Sequence, residues 1–107
     1  MPSANKTRSL VMAALGDEIR LSMISKLTNG KRQSISHLTA GTNLTRQAVT
    51  KHLHVLENAG IVRNIRVGRE NQFELEPKPI DDVREYLEYV SKQWDNAVAR
   101  LKSFVED

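Results

Sequence analysis

The chain has no cysteine among its 107 residues, so disulfides and thiolate-bound metals are excluded. The same absence removes any indication of redox compartment. Long hydrophobic runs are missing too: no stretch approaches the roughly 20 apolar residues of a membrane span. The N-terminal "MPSANKTRSLVMAALG" sets Lys6 and Arg8 ahead of an apolar run, the order found in secretory signals. That run, Leu10 to Leu15, is shorter than a usual signal core and leads straight into an amphipathic pattern. It reads as a first helix, and a cytoplasmic location is expected. Also missing are internal repeats, low-complexity tracts, a glycine-rich phosphate cradle, paired acids and any nucleophile–base pairing. An enzyme is not indicated, and no cofactor is expected.

What is present suits a soluble globular protein, since the apolar and charged fractions are ordinary. The length predicts one domain, residues 1–107, with a modest core. Its formal charge of +3 is unevenly spread. Residues 1–78 hold 12 Lys/Arg against 6 Asp/Glu, a net of +6, whereas residues 79–107 hold 4 against 7, a net of −3. A basic body with an acidic tail suits a polyanionic partner that the tail avoids.

The first helix is expected from about Lys6 to Leu15, stopping at Gly16. Asp17 and Glu18 fall in the first turn of a second helix, where negative charge suits the macrodipole. Ile19, Met23 and Leu27 form its apolar stripe, and "TNGK" at 28–31 ends it. A short helix over about Ser34–Ala40 turns Ile35 and Leu38 inward. Gly41, Thr42 and Asn43 then make a tight turn, with Asn43 able to take a left-handed backbone and Thr45 a good N-cap. In "NLTRQAVTKHLHVLENAGIV", Leu44, Val49, Leu53, Leu56 and Ile61 recur at helical spacing, and Gly60 closes the helix.

From Ile61 the period falls to two. Ile61, Arg63, Ile65 and Val67 share one face, and Val62, Asn64 and Arg66 the other. Asn71, Phe73 and Leu75 alternate with Gln72 and Glu74 in a second run, which predicts a β-hairpin over 61–76 with Gly68 at its tip. Pro77 and Pro79 end it, and Asp81 and Asp82 open a last helix over 79–105. The expected fold is mainly α with a β-hairpin wing: a winged helix-turn-helix with the helix-turn-helix at 34–59.

The outward face of the quoted helix carries Arg46, Gln47, Thr50, Lys51 and His54, with no acidic residue among them. In a helix-turn-helix the second helix enters the major groove and its N-terminal half meets base edges. Arg46 can pair with guanine through two hydrogen bonds, and Gln47 with adenine. Thr50 and Lys51 can reach a base or a phosphate, and His54 a phosphate one turn further on. Arg66 and Arg69 around Gly68 can probe the flanking backbone or minor groove. The partner expected is double-stranded DNA.

The stretches "LGDEIRLSMISKL", "LTRQAVTKHLHVLENAGIV" and "RVGRENQFEL" resemble the signature segments of the arsenical-resistance repressor (ArsR-type) family, over roughly Ser9 to Val90. The resemblance implies a homodimeric bacterial transcription factor, often a repressor that a metal or another signal releases from DNA. It places Thr45, Arg46, Gln47, Thr50, Lys51 and His54 on the recognition helix, and Arg66, Gly68 and Arg69 in the wing. Thiolate sensors of that family carry Cys-Val-Cys where this chain has Ser34-Ile35-Ser36, and serine hydroxyls do not bind soft metals. Another family site uses carboxylates and histidines on the last helix. Here that helix has Asp81, Asp82, Glu85, Glu88 and Asp95 but no histidine, so no regulatory metal site is expected. His52 and His54, two apart, point in different directions; His52 should pack or bond near the turn and His37 stay exposed.

In the last helix Ile80, Leu87, Trp94 and Leu101 recur every seven residues, each followed three later by Val83, Val90, Ala97 and Phe104. This a/d pattern over about four heptads is more than the small body can cover. A homodimer seam is expected through Val83, Leu87, Val90, Trp94 and Leu101, joined by Leu10 of the first helix. Sequence-specific transcriptional regulation, with nothing left over to contact polymerase and hence repression, is the reading that follows. The competing reading, a winged-helix protein-interaction module, predicts an apolar or mixed-charge recognition face, which this chain lacks.

Overall fold

The computed structural model describes residues 4–106. The outermost residues of the expected domain, 1–3 and 107, lie outside the described part. In chain order the elements are α1 (Ala4–Leu15), α2 (Glu18–Leu27), β1 (Gln33–Ser34), α3 (Ile35–Thr39), α4 (Arg46–Asn58), β2 (Val62–Val67), β3 (Glu70–Leu75) and α5 (Lys78–Glu106). The three strands form an antiparallel sheet in the order β1-β3-β2. Mainly helical with a β-hairpin wing, this is the winged helix-turn-helix that the hydrophobic periods predict.

Capping side chains start the helices where the backbone leaves donors free. Asp17 precedes α2 as its N-cap and accepts from the amide of Arg20 at 3.0 Å, so it stands before the first turn rather than in it. Ser34 caps α3 through the amide of His37, and Thr45 caps α4 through the amide of Ala48 at 3.0 Å. At the other end of α4, the amides of Gly60 and Ile61 bond to the carbonyls of Glu57 and Leu56, each at 2.9 Å. That paired pattern is a Schellman motif, and it needs the left-handed backbone that Gly60 adopts at φ 76°. In the turn between α3 and α4 the left-handed residue is Gly41, not Asn43; among the described residues only glycines have positive φ.

Val11 and Ala14 of α1, Met23 and Leu27 of α2, Leu38 of α3, and Val49, Leu53 and Leu56 of α4 form the core with Ile61, Val62, Phe73 and Val83. Phe73 is its largest fully buried side chain and joins the sheet to the helices. The alternation along β2 locates the hairpin but does not carry over into alternating burial. Ile61 and Val62 are both buried, whereas Arg63 is exposed and Val67 is 46% exposed, because the hairpin leaves the body after its first residues. The two-residue β1 has no periodic signal of its own. It forms where Gln33 and Ser34 meet the free edge of β3 opposite Phe73 and Gln72.

α5 has 29 residues, about 43 Å at 1.5 Å per residue, and only its first turns reach the body. Val83, expected in the dimer seam, is 5% exposed and packs in the chain's own core. The stripe beyond it is uncovered: Trp94 is 69% and Phe104 81% exposed, and Leu87, Val90 and Leu101 are exposed as well. The radius of gyration is 18.4 Å, against about 13 Å for a compact chain of this length. The excess is the projecting helix.

A Cβ at position 60 would meet Pro79 Cγ at 3.6 Å, an ordinary contact, so the cost of a side chain there is conformational. Gly60→Ala should lower the unfolding free energy by roughly 1–2 kcal/mol, and Gly60→Asn by less. Urea denaturation checks this, and equal losses for both variants would contradict the left-handed assignment.

Candidate nucleic-acid interface

α4 has two faces with different work. Val49, Leu53 and Leu56 are fully buried, which fixes the helix against α1, α2 and α3. Arg46, Gln47, Lys51 and His54 are exposed on the opposite side, and Thr50 is half-buried between them. The Thr50 hydroxyl donates to the Arg46 carbonyl at 2.7 Å, so its hydrogen is already used inside the helix. Gln47, Lys51 and His54 extend from a face that carries no carboxylate.

Arg46 points away from these three. Its Nη1 donates to Ser36 Oγ of α3 at 2.7 Å. Together with Arg69 of the hairpin turn, Ser34, Ile35, Glu70 and Asn71, it lines an open cleft of about 490 Å³ between the helix-turn-helix and the wing. Residue order gave no sign that Ser36 would hold Arg46, since the two lie ten apart on different helices. Gly68 and Arg69 form the two-residue turn between the paired Val67 and Glu70. With φ 62° at its first central residue only, this is the type II′ geometry that glycine permits. Arg66 folds its Nε back to the Gly68 carbonyl at 3.1 Å, stiffening the tip.

Not every basic residue is free for a partner. Arg32 and Arg63 both pair with Glu74 of β3, the former at 3.3 Å, and Arg63 also approaches Glu76 at 3.6 Å. The hydrogen bond from Arg32, reinforced by Arg63, holds the Glu74 carboxyl below its ordinary value. These pairs tie the wing root to the end of the α2–β1 connection. Arg46, Arg66 and Arg69 take part in none of the ion pairs among the described residues.

His52 lies away from both the exposed face and the helix-turn-helix turn. Its Nδ1 is 3.3 Å from Arg20 Nη1 and 3.8 Å from Asp17 Oδ2, at the start of α2. Arg20 also donates to the carbonyls of Ala14 and Ala13 at 2.7 and 3.3 Å, closing the end of α1. His52 is therefore part of the joint between α1, α2 and α4, and His37 and His54 are exposed. The residues at the family's thiolate position do not fit a metal. The Ser34 hydroxyl accepts from the amide of His37 and that of Ser36 accepts from Arg46, so both are engaged in hydrogen bonds.

The profile of the bacterial regulatory protein arsR family matches residues 17–64, from the cap of α2 into β2. An ArsR-like transcriptional regulator from Rhodococcus sp. RHA1 is 32% identical in sequence and superposes with a TM-score of 0.81, with 92% of each chain covered. This chain belongs to the ArsR family. An uncharacterised HTH-type transcriptional regulator of Bacillus subtilis (strain 168), YuzN, is 34% identical over 71 residues, 61% of this chain and 77% of that protein. The transcriptional repressor BigR from Xylella fastidiosa shares the fold, with a TM-score of 0.59 at 23% identity over 72% of this chain and 79% of that one. ArsR-family proteins are DNA-binding transcriptional regulators and not enzymes. Among the described residues of this regulator, no helix is long and apolar enough to cross a membrane.

The Glu74 pairs make part of the stability of this ArsR regulator pH-dependent. A carboxyl held below its unfolded value of about 4.3 stabilises the fold fully above that pH and stops doing so as pH falls through the lowered value. Glu74→Gln should therefore melt below the wild type at neutral pH, with the gap closing as the pH falls below the ordinary carboxyl range and through the lowered value. Thermal melts across that range check it; a gap that stays constant would mean that the ion pairs contribute nothing.

Proposed function

We propose that this ArsR-family protein is a homodimeric repressor that binds a short pseudo-palindromic operator and senses no thiophilic metal. The observation that carries the reading is the pair of faces on α4. One is fixed in the core, and the other presents Gln47, Lys51 and His54 to solvent with no acid among them. Gln47 at the start of the helix has the two-point hydrogen bonding that reads adenine in the major groove. Thr50, its hydroxyl hydrogen spent, offers a methyl group to thymine. Lys51 and His54 stand near the duplex backbone, and Arg66, Gly68 and Arg69 carry the wing to the flanking groove. A protein-interaction module would want an apolar or mixed-charge face here.

The second copy is supported by the stripe on α5. Leu87, Val90, Trp94 and Leu101 are exposed in one line, Leu10 of α1 is exposed as well, and Leu15, Ile80 and Leu87 line an open apolar groove where the two helices meet. Such a continuous patch marks an interface. A two-fold pair along it would set two α4 helices about 34 Å apart, one turn of DNA. Repression by occupying a promoter requires no surface beyond these two. Indifference to metal follows from a sequence without cysteine and a last helix without histidine.

Selection of bound fragments from random duplexes should yield a pseudo-palindrome, bound more weakly as salt rises. Gln47→Ala should lower affinity for it by roughly 1–3 kcal/mol and relax one base preference per half-site. Arsenite, cadmium and zinc at micromolar levels should leave the bound fraction unchanged. Failure to enrich any sequence would count against the operator reading, and stoichiometric release by one of the metals against the absence of a sensor.

Trp94→Asp replaces a packed ring by an unpaired carboxylate in the seam, a loss of several kcal/mol felt in both copies. The variant should sediment as a monomer at micromolar concentration with its helical content nearly intact. Its affinity for a full operator should collapse, because each copy then reaches one half-site. A variant that remains dimeric, or a monomeric wild type, would refute the seam.

A further inference from the structure

The cleft between α3 and the wing has a chemistry that recognition of bases does not use. Two guanidinium groups, Arg46 from the first residue of α4 and Arg69 from the hairpin turn, line it from opposite sides. The Ser36 hydroxyl accepts the Arg46 hydrogen bond, which leaves its own hydrogen free to donate, and Asn71 adds an amide at the rim. One carboxylate is present, that of Glu70, and it accepts from Gln72 Nε2 at 3.1 Å along β3. With it counted, the lining remains net positive. Neither arginine has a carboxylate partner among the described residues, unlike Arg32 and Arg63 nearby.

Two planar, permanently charged forks and a hydroxyl around an open polar space match a tetrahedral oxyanion. They match the edge of a base poorly, since Arg46 is held by Ser36 of α3 at the side of the cleft rather than along the helix face. We propose that Ser36, Arg46 and Arg69 form a clamp for one backbone phosphate of the DNA. Arg46 is on this view a positioning residue that fixes how deeply α4 sits, and base discrimination falls to Gln47 and the residues beyond it. The inference rests on the DNA-binding reading above and differs from the guanine-reading role that residue type alone gives Arg46. It also assigns Glu70 a function: its charge opposes the phosphate and restrains affinity for DNA of any sequence.

The clamp is tested by fluorescence anisotropy with the selected operator and an unrelated duplex of equal length, at several salt concentrations. Arg46→Ala and Arg69→Ala should each weaken both duplexes by the same factor, roughly tenfold, and each should lower the salt slope by about one. Arg46→Lys should retain most of the affinity for both, and Glu70→Gln should tighten both. Single neutral methylphosphonates placed in turn along a half-site should reveal one position where Arg46→Ala and Arg69→Ala no longer matter. If Arg46→Ala or Arg46→Lys weakens the operator and spares the unrelated duplex, Arg46 reads a base and the clamp is wrong. If the two alanine variants lose their effect at different phosphates, the shared site is wrong. Circular dichroism of each variant separates these outcomes from misfolding.

A wild type that binds neither duplex would overturn the DNA reading separately from the clamp. Titration with sodium phosphate against sodium chloride at equal ionic strength then decides the clamp, read from the Arg46 and Arg69 Nε–H signals in NMR spectra. Phosphate-specific shifts at both would show a site for free oxyanions, and no difference between the salts would eliminate it.

Discussion

The exposed basic face of α4 depends on how firmly that helix is seated. Its apolar stripe is buried without remainder, and a Schellman motif and a threonine cap fix its two ends. A helix held in this way has no freedom to roll, so the direction of Gln47, Lys51 and His54 follows from the direction of Val49, Leu53 and Leu56 on its other side. Truncating one of those buried residues leaves a cavity that typically costs a few kcal/mol. The same change would tilt the recognition face, although nothing on that face had been altered.

Electrostatics around this helix are arranged by subtraction. The basic excess of the first 78 residues suggests a broadly positive body, yet Glu74 alone takes up two of the arginines and Glu76 adds to one of them. Arg46, Lys51, Arg66 and Arg69, on the recognition helix and the wing tip, are among the basic residues outside these pairs. A net charge of +3 spread evenly would steer little. Four cationic side chains on the recognition helix and wing tip, with the acidic stretch on α5, would orient the approach to a polyanion.

How much of this was legible in the sequence follows the range of each interaction. Local features can be read directly: the threefold-to-fourfold apolar spacing of α4, the N-cap at Thr45, the closing Gly60 and the glycine in the hairpin turn all lie within a few residues of what they determine. Interactions between distant segments leave no such trace. β1 exists because β3 offers an edge some 40 residues later, and the Arg32–Glu74 pair and the His52–Arg20 contact span 42 and 32 residues. Alternation in β2 located the hairpin but said nothing of how much of it would be buried. The period describes what the strand could bury, and the hairpin leaves the body before most of it can be used. In α5 the heptad pattern is continuous across Val83, while the core ends just beyond it, so periodicity alone could not divide the stripe between the chain's own core and its exposed remainder.

A clamp that holds phosphate and a residue that reads bases contribute differently to selectivity. Phosphate contacts favour all duplexes alike, and therefore set how long the protein stays anywhere on DNA. Discrimination then rests on few groups, each worth about 1–3 kcal/mol per wrong base. One copy with Gln47 as its main reader would distinguish sites poorly. In the proposed homodimer, a rigid pairing along α5 would present that reader twice at a fixed spacing, so the penalties of two half-sites would add in free energy and multiply in occupancy. On the proposed dimer the exposed stripe from Leu87 to Phe104 would then be as necessary to specificity as the recognition helix, although none of it lies on the helix-turn-helix or the wing.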